Sequence, residues 1–449
     1  MKRILLFGAG KSATCLIDYL GKELKQNDWW LIVCDADLFL AQRKIQGIEH
    51  AEAMLMDVAD AMAREQLIRN ADIVISMLPP ALHFVIAQDC VAFGKNLLTA
   101  SYVDENIRSL EPQIVAKKLL FICEMGLDPG IDHMSAIKMI HAIREKGGSI
   151  DSFISHCGGL ISPESDDNPW HYKVTWNPRN IVRAGHDGAE YLEDKTRITV
   201  PYRQIFMDCP PVAIIEDYPL CWYPNRDSLH YVELYGLGGI ATFIRTTLRH
   251  PAFCRGWSKI VAMGLTDTSD FELVKDCNTC KDWYDVKASH FPSEKVGLNN
   301  KVQENIDNIF RNEFRTQVEF LGLQSEEPLP TDFSCSADIL QFLVEKKLAI
   351  QADDKDMIVI LHEMQYRLGD EKYKVKSSLI VTGDDSLRTA MAKTVGLPLG
   401  IATKLILQEK IQTTGLHIPV IAEIYEPVLA ELKENGIVFH NQVSPIISS

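Results

Sequence analysis

The string Gly8-Ala9-Gly10-Lys11-Ser12-Ala13 constrains this chain more than any other feature. It is a GxGxxA motif that directly follows the apolar strand Ile4–Phe7. It opens a stretch with helical periodicity at Leu16, Ile17, Leu20 and Leu24. Strand, glycine turn and helix in that order are the phosphate-binding start of a dinucleotide fold. Gly8 permits the tight turn, Gly10 lets the backbone approach a pyrophosphate without a Cβ in the way, and Ala13 keeps the helix close to the strand. The helix N-terminus offers N–H groups and a partial positive charge to the phosphates, with Lys11 and Ser12 in the same loop.

The next 120 residues repeat the theme. Leu31–Cys34, Met54–Val58, Ile73–Leu78, Asn96–Ser101 and Leu119–Cys123 read as short apolar strands, with amphipathic stretches between most of them. Such alternation implies a parallel sheet covered on both faces, a doubly wound α/β domain. Asp35 stands at the end of the second strand, followed by Ala36 and a second acid, Asp37. A carboxylate there can accept hydrogen bonds from both ribose hydroxyls and would repel a 2′-phosphate, so NAD is expected rather than NADP. A surface aspartate in a turn is the plainer alternative. The other strand ends face the same crevice: Asp57-Val58, Leu78-Pro79 and Ser101-Tyr102.

Charge narrows the class of partner. With 46 Lys and Arg against 61 Asp and Glu, the net charge of −15 lacks the field of a general nucleic-acid binder. Apolar runs such as Ala71–Pro80 and Lys118–Met125 fall short of the roughly 20 residues of a spanning helix. Ile4–Phe7 is too short for a signal-peptide core. The 11 cysteines are odd in number, scattered and mostly within apolar strings, as suits buried thiols in a reducing cytosol. Cys277 and Cys280 have CxxC spacing, but no second pair or paired histidines follow, and no metal site is expected there.

After Pro129-Gly130 the texture changes. A helix over Asp132–Lys146 leads to the strand Ser152–Leu160. Strand-like pieces follow at Tyr172–Trp176, Thr196–Val200 and Tyr231–Tyr235. Residues 251–350 are polar and helical. Met357–Leu361 and Tyr373–Val381 suggest a hairpin, and Asp385–Leu407 a helix broken at Gly396-Leu397-Pro398. Leu127-Asp128-Pro129-Gly130 is turn chemistry in its own right, yet its place after the last strand puts Asp128 near a nicotinamide. Arg226 and Arg249, each flanked by hydroxyl residues, have the forked guanidinium suited to carboxylates, although either taken alone reads more readily as a surface residue. Cys157, ahead of Gly158-Gly159, is expected to be a packing residue on the face opposite His156.

Taken together, these strings resemble the saccharopine dehydrogenases of the glutamate-forming kind. The carriers are Ser101-Tyr102-Val103, Gly126–His133, Cys157–Leu160, Tyr223–Ser228, Thr247-Leu248-Arg249 and Ala390–Pro398. The resemblance implies an N-terminal Rossmann domain (1–130, with 385–449 returning to it), an α+β substrate and dimerisation domain (131–250 and 351–384), and a small helical domain (251–350). It implies nucleotide contacts at Ala9–Ser12, Asp35–Asp37, Asp57, Val58, Leu78 and Leu127–Pro129, with Asn177 nearby. It implies saccharopine contacts at Ser101, Tyr102, Asp128, Arg226, Thr247, Leu248 and Arg249. Asp128 and His133 are the candidates for moving protons.

The implied reaction belongs to lysine metabolism. A hydride leaves saccharopine, expected at the glutamate Cα, and the resulting imine is hydrolysed to glutamate and 2-aminoadipate 6-semialdehyde. The implied molecule is a cytoplasmic homodimer acting on a small amino acid, with no metal, nucleic acid or membrane partner. Asp35, His156 and Thr175-Trp176-Asn177 depart from the family pattern. Two other readings stand beside this one: a related opine- or polyamine-forming reductase of the carboxynorspermidine synthase type, and a non-catalytic dinucleotide sensor.

Overall fold

The computed structural model describes residues 1–289, 301–330 and 333–446. In chain order its strands are β1 (Lys2–Phe7), β2 (Trp29–Asp35), β3 (Ala51–Leu55), β4 (Ile73–Ser76), β5 (Asn96–Thr99), β6 (Leu120–Ile122), β7 (Ser149–Ile161), β8 (Ala189–Glu193) and β9 (Thr196–Val200). They continue as β10 (Pro211–Ile215), β11 (Tyr218–Pro224), β12 (Arg226–Asp227), β13 (Thr242–Arg249), β14 (Asp356–Leu368), β15 (Glu371–Thr382), β16 (Gly415–His417) and β17 (His440–Pro445). The chain divides into two compact units, residues 1–150 with 366–449, and residues 151–365.

The first unit is built on a parallel sheet of order β16-β6-β5-β4-β1-β2-β3, a doubly wound arrangement with β16 added at one edge. Ile4, Leu5, Leu6, Phe7, Ile73, Val74 and Ile75 are all fully buried, because helices cover both faces. The third strand runs over Ala51–Leu55 rather than Met54–Val58, which leaves Asp57 and Val58 in the loop beyond it.

Residues 390–407 form one continuous helix where a break at Gly396-Leu397-Pro398 is expected. The glycines serve packing instead. A Cβ on Gly396 would lie 2.7 Å from the backbone nitrogen of Leu16, and one on Gly400 would lie 2.6 Å from the Tyr19 ring. They let this helix press against helix Thr14–Asn27. By length and composition it could cross a membrane, but 78% of it is buried inside the protein. Its residues are scattered through a polar-interrupted string, so counting uninterrupted apolar runs overlooks it.

The second unit carries a mixed sheet of order β10-β11-β13-β7-β14, with β8, β9 and β12 as a side branch. β13 runs parallel to β7 and antiparallel to β11. Its helical core gathers Trp170, Trp257 and Trp283, all fully buried. The indole nitrogens of two of them are satisfied: Trp170 donates to the Gln317 carbonyl at 3.1 Å and Trp283 to Ser336 Oγ at 2.8 Å. Two strand expectations fail here. His230–Leu234 is a helix, and Tyr172–Trp176 is an irregular segment touching Ala349 through a single bridge at Val174. Aromatic content misleads in both, since the rings fill a core rather than a pleated face.

Candidate functional site

The glycine loop has the geometry its sequence demands. Gly8 adopts φ +99°, and a Cβ there would meet the Met77 carbonyl oxygen at 2.8 Å, so only glycine fits between β1 and β4. A Cβ on Gly10 would meet no atom within 4 Å. The loop is therefore open on the side from which a pyrophosphate approaches, and its backbone suits a dinucleotide. Lys11 is exposed, Ser12 half-buried, and both lie in the short turn Lys11–Ala13 that leads into helix Thr14–Asn27.

Asp35 is bound into this loop. Its Oδ2 accepts the Ala9 N–H at 2.7 Å and its Oδ1 accepts the Asp37 N–H at 2.9 Å. Ala36 is exposed between them, and Asp37 caps the following helix by accepting the Leu40 N–H. Asp57 is exposed and accepts the Ala59 N–H; Val58 and Leu78 are half-buried in the loops after β3 and β4.

Beside this crevice the segments after β5 and β6 are stitched together. Tyr102 donates from its hydroxyl to Asp128 Oδ1 at 3.3 Å. Ser101 Oγ lies 2.7 Å from His83 Nε2, whose Nδ1 lies 2.8 Å from Ser76 Oγ. Burial pulls the His83 imidazole down to about 4, so a neutral ring bridges two hydroxyls. Leu127 and Pro129 are buried and Asp128 is half-buried. Gly130, at φ +147°, packs against Gly126 with no room for a Cβ, and Asp132 Oδ1 accepts its N–H at 2.7 Å.

His133 is placed differently from the expectation of a proton carrier. It is fully buried, with Nε2 2.9 Å from Glu124 Oε2, and that carboxylate also accepts the Val103 N–H at 3.1 Å. The ring is enclosed in the interior beside Glu124. Glu124, which sequence reasoning passed over, is the residue that joins the two segments. Its signal was an acid buried in an apolar strand end, Phe121-Ile122-Cys123-Glu124.

In the second unit one sheet face collects a second set. Cys157 pairs with Thr247 in the β7–β13 register, and Thr247 pairs with Tyr223 on β11. Arg249 shares that face. It is 5% exposed, its guanidinium lies 5.1 Å from the Tyr172 ring centroid, and it donates to the Leu248 carbonyl at 2.8 Å. Its Nε has no hydrogen-bond partner, and no carboxylate among the described residues pairs with it. A buried cation in that state is a docking point for an anionic group. Burial raises the Tyr223 hydroxyl to about 12, so it stays a donor beside Thr247.

Leu248 points the other way. It is fully buried against Leu160, Leu220 and Met357, with Gly158 beneath it, so its side chain is core and not a substrate contact. Arg226 is exposed on the short strand β12. Asn177 is exposed and caps helix Pro178–Val182 through Oδ1. His156 lies 2.7 Å from Thr246 Oγ1 on the opposite face from Cys157.

This is the architecture of a dinucleotide-binding oxidoreductase with a second unit that buries an arginine on one sheet face. Two family models together span nearly the whole chain: the saccharopine dehydrogenase NADP binding domain at residues 4–122, and the saccharopine dehydrogenase C-terminal domain at residues 126–437. The chain belongs to the saccharopine dehydrogenase family. It is 30% identical to the apo saccharopine dehydrogenase (L-Glu forming) of Saccharomyces cerevisiae, with a TM-score of 0.86 over 99% of this chain and 100% of that one. It is 29% identical to the saccharopine dehydrogenase [NADP(+), L-glutamate-forming] of Schizosaccharomyces pombe, over 99% of each chain. It is 31% identical to the alpha-aminoadipic semialdehyde synthase of Arabidopsis thaliana over 97% of this chain, which spans only 44% of that protein's length.

The expectation of NAD over NADP is overturned. The matching domain family is an NADP-binding one and the fungal relatives are named for NADP+. The physical reason lies in Asp35: both of its oxygens are engaged by backbone N–H groups of the loop, so its charge supports the loop instead of reporting on the ribose.

Proposed function

We propose that this chain catalyses the NADP-dependent interconversion of saccharopine and water with L-glutamate and 2-aminoadipate 6-semialdehyde. The observation that carries the reading is Arg249, a buried guanidinium among aromatic rings with no carboxylate partner among the described residues. Saccharopine brings three carboxylates, and such a cation is what one of them requires. Arg226 and Thr247 are the polar residues we assign to the others.

The products correct one detail of the chemistry. Glutamate keeps the bridging nitrogen, and the aldehyde sits on C6 of the lysine skeleton. The hydride therefore leaves that C6, not the glutamate Cα; oxidation at Cα would yield lysine and a 2-oxo acid instead. The nicotinamide, when bound, accepts this hydride. The chain's residues position and desolvate the reacting C–N bond. As the imine forms, the secondary amine loses its proton. Water then adds to C6 and the C6–N bond breaks. Asp128, half-buried and hydrogen-bonded to Tyr102, is the carboxylate we assign to accept the proton from that water.

A reducing compartment such as the cytosol suits the eleven cysteines, none of which forms a disulfide among the described residues. The deciding experiment incubates the purified chain with saccharopine and NADP+ and follows NADPH absorbance. Glutamate and semialdehyde must appear in equal amounts. NADPH binding with no turnover on saccharopine in either direction, or turnover only with a diamine-derived imine, would overturn the reading.

A further inference from the structure

Three cysteines far apart in sequence meet in the second unit. Cys209 sits on the segment before β10, Cys221 on β11, and Cys254 in the first turn of helix Pro251–Ala262. Their sulfur atoms all lie within 4.8 Å of one another, and those of Cys221 and Cys254 are 3.5 Å apart. Four thiolates or three plus a water around Zn2+ at about 2.3 Å would separate the sulfurs by about 3.8 Å. The observed triangle is close to that size. We propose that Cys209, Cys221 and Cys254 form a binding site for one soft, thiolate-seeking d10 cation, for which Zn2+ is the probe.

The surroundings suit a cation held by thiolates. A cleft of about 400 Å³ opens onto the three cysteines, with Met207, Asp208 and Arg255 on its walls. It supplies an entry path and a fourth coordination position for water or for the exposed Asp208. Cys221 and Cys254 are buried while Cys209 is half-buried, so the ligand loop can close from one side only. Cys254 is fixed in place by the first turn of its helix.

The nearby cations do not oppose binding. Arg255 is already held by Glu313 through two hydrogen bonds of 3.0 and 2.8 Å. Arg249 stands opposite Cys221 in the β11–β13 register. A divalent ion on three thiolates carries a net charge of −1, so this guanidinium does not repel the loaded site. Thiolate ligands select such an ion over Mg2+ or Ca2+, which prefer oxygen. The CxxC pair does not build the site: Cys277 Sγ donates to the Leu273 carbonyl at 3.3 Å, and neither Cys277 nor Cys280 joins the triangle.

The test uses the full chain, reduced and then freed of reductant and metal. Co2+ replaces Zn2+ as an optical reporter, because thiolate ligation gives intense sulfur-to-cobalt charge-transfer absorption. One equivalent of Co2+ should bind, give that absorption, and be displaced by one equivalent of Zn2+. Cys209→Ser, on a half-buried loop position, should abolish the band with the circular dichroism spectrum unchanged. Cys221→Ser should do the same, whereas Cys277→Ser should leave the band intact. Absence of the band while alkylation shows all three thiols reduced would overturn the proposal. So would a band that survives both Cys209→Ser and Cys221→Ser, or purified protein in which Cys221 and Cys254 are found joined as a disulfide and take up no metal after reduction.

Discussion

Glu124 and His133 lock the segments after β5 and β6 to each other: Glu124 Oε2 meets His133 Nε2 at 2.9 Å, and Glu124 Oε1 takes the Val103 N–H at 3.1 Å. One segment carries Ser101 and Tyr102, the other Asp128. Removing either member takes away the contact that ties the two segments and leaves the other with a lost partner in a buried place. Glu124→Ala or His133→Ala should therefore lower stability by about 1–3 kcal/mol, measured by urea denaturation. His133→Asn should keep the shape of the pH–kcat profile. Loss of one limb of that profile would restore His133 to the role of a proton carrier.

Arg249 and Arg226 differ in burial, so their losses should differ in size. Arg249→Ala should lower kcat/KM for saccharopine by roughly 30–1,000-fold, about 2–4 kcal/mol, while NADPH affinity stays near that of the parent. Arg249→Lys should recover little of it, because an ammonium cannot fork. Arg226, exposed, should cost only about 1 kcal/mol, or roughly 5-fold in KM. Steady-state kinetics with saccharopine as the varied substrate distinguish these outcomes. Equal losses at the two positions would mean that burial does not rank them.

His83 makes stability depend on pH in a stated direction. Burial holds its folded-state value at about 4, against 6.5 for the ordinary imidazole. Between those values the unfolded chain binds the proton and the folded chain does not. Stability is therefore full above pH 6.5 and is lost as pH falls toward 4, by on the order of 3 kcal/mol from this residue. His250, also held low by burial and by neighbouring His171, acts in the same direction. Denaturation midpoints measured from pH 4 to 7 should rise with pH, and His83→Gln should flatten part of that slope. An unchanged slope in the variant would remove His83 from the account.

The first unit was largely legible because its signals are local. A glycine turn, a run of Ile and Leu, and a helical stripe each report on a few neighbouring residues, and the parallel sheet follows from their alternation. The second unit was less so. Arg249 has the same local context whether it lies on the surface or in the core, and its burial depends on Tyr172, Phe253 and Gly159, none of them adjacent. Leu248 was grouped with its neighbours although a strand must turn it to the other face. Asp35 shows the limit most clearly. Its position was read correctly, but the backbone N–H groups that occupy it come from Ala9 and Asp37 through the loop's fold.

That engagement makes a prediction of its own. Asp35→Ala removes the acceptor for two loop N–H groups and should weaken NADPH and NADH binding by a similar factor, roughly 10-fold or about 1.5 kcal/mol. Fluorescence titration with each reduced cofactor reads this directly. A gain in NADPH affinity alongside a loss for NADH would show that the carboxylate reads the ribose after all.

Gly396 tests how the late helix is held in the first unit. The backbone nitrogen of Leu16 lies 2.7 Å from where its Cβ would stand, and the Leu16 Cβ lies 3.2 Å away. A backbone atom cannot swing aside as a side-chain tip can, so Gly396→Ala must push helix Thr14–Asn27 or its own helix outward. Alanine is the better helix former by about 1 kcal/mol, which works in the opposite sense. Overpacking a close helix contact costs about 1–3 kcal/mol, so the net change should be destabilising. Helix Thr14–Asn27 begins immediately after the glycine loop, so a shift there should also weaken NADPH binding. Gly47→Ala is the control. Its Cβ meets nothing within 4 Å, although its φ of +81° strains any other residue, so it should lose stability without losing cofactor affinity. Thermal melts combined with NADPH titration separate the two variants. A Gly396→Ala protein that melts higher than the parent and binds NADPH equally well would mean that the helices are not held as closely as this packing requires.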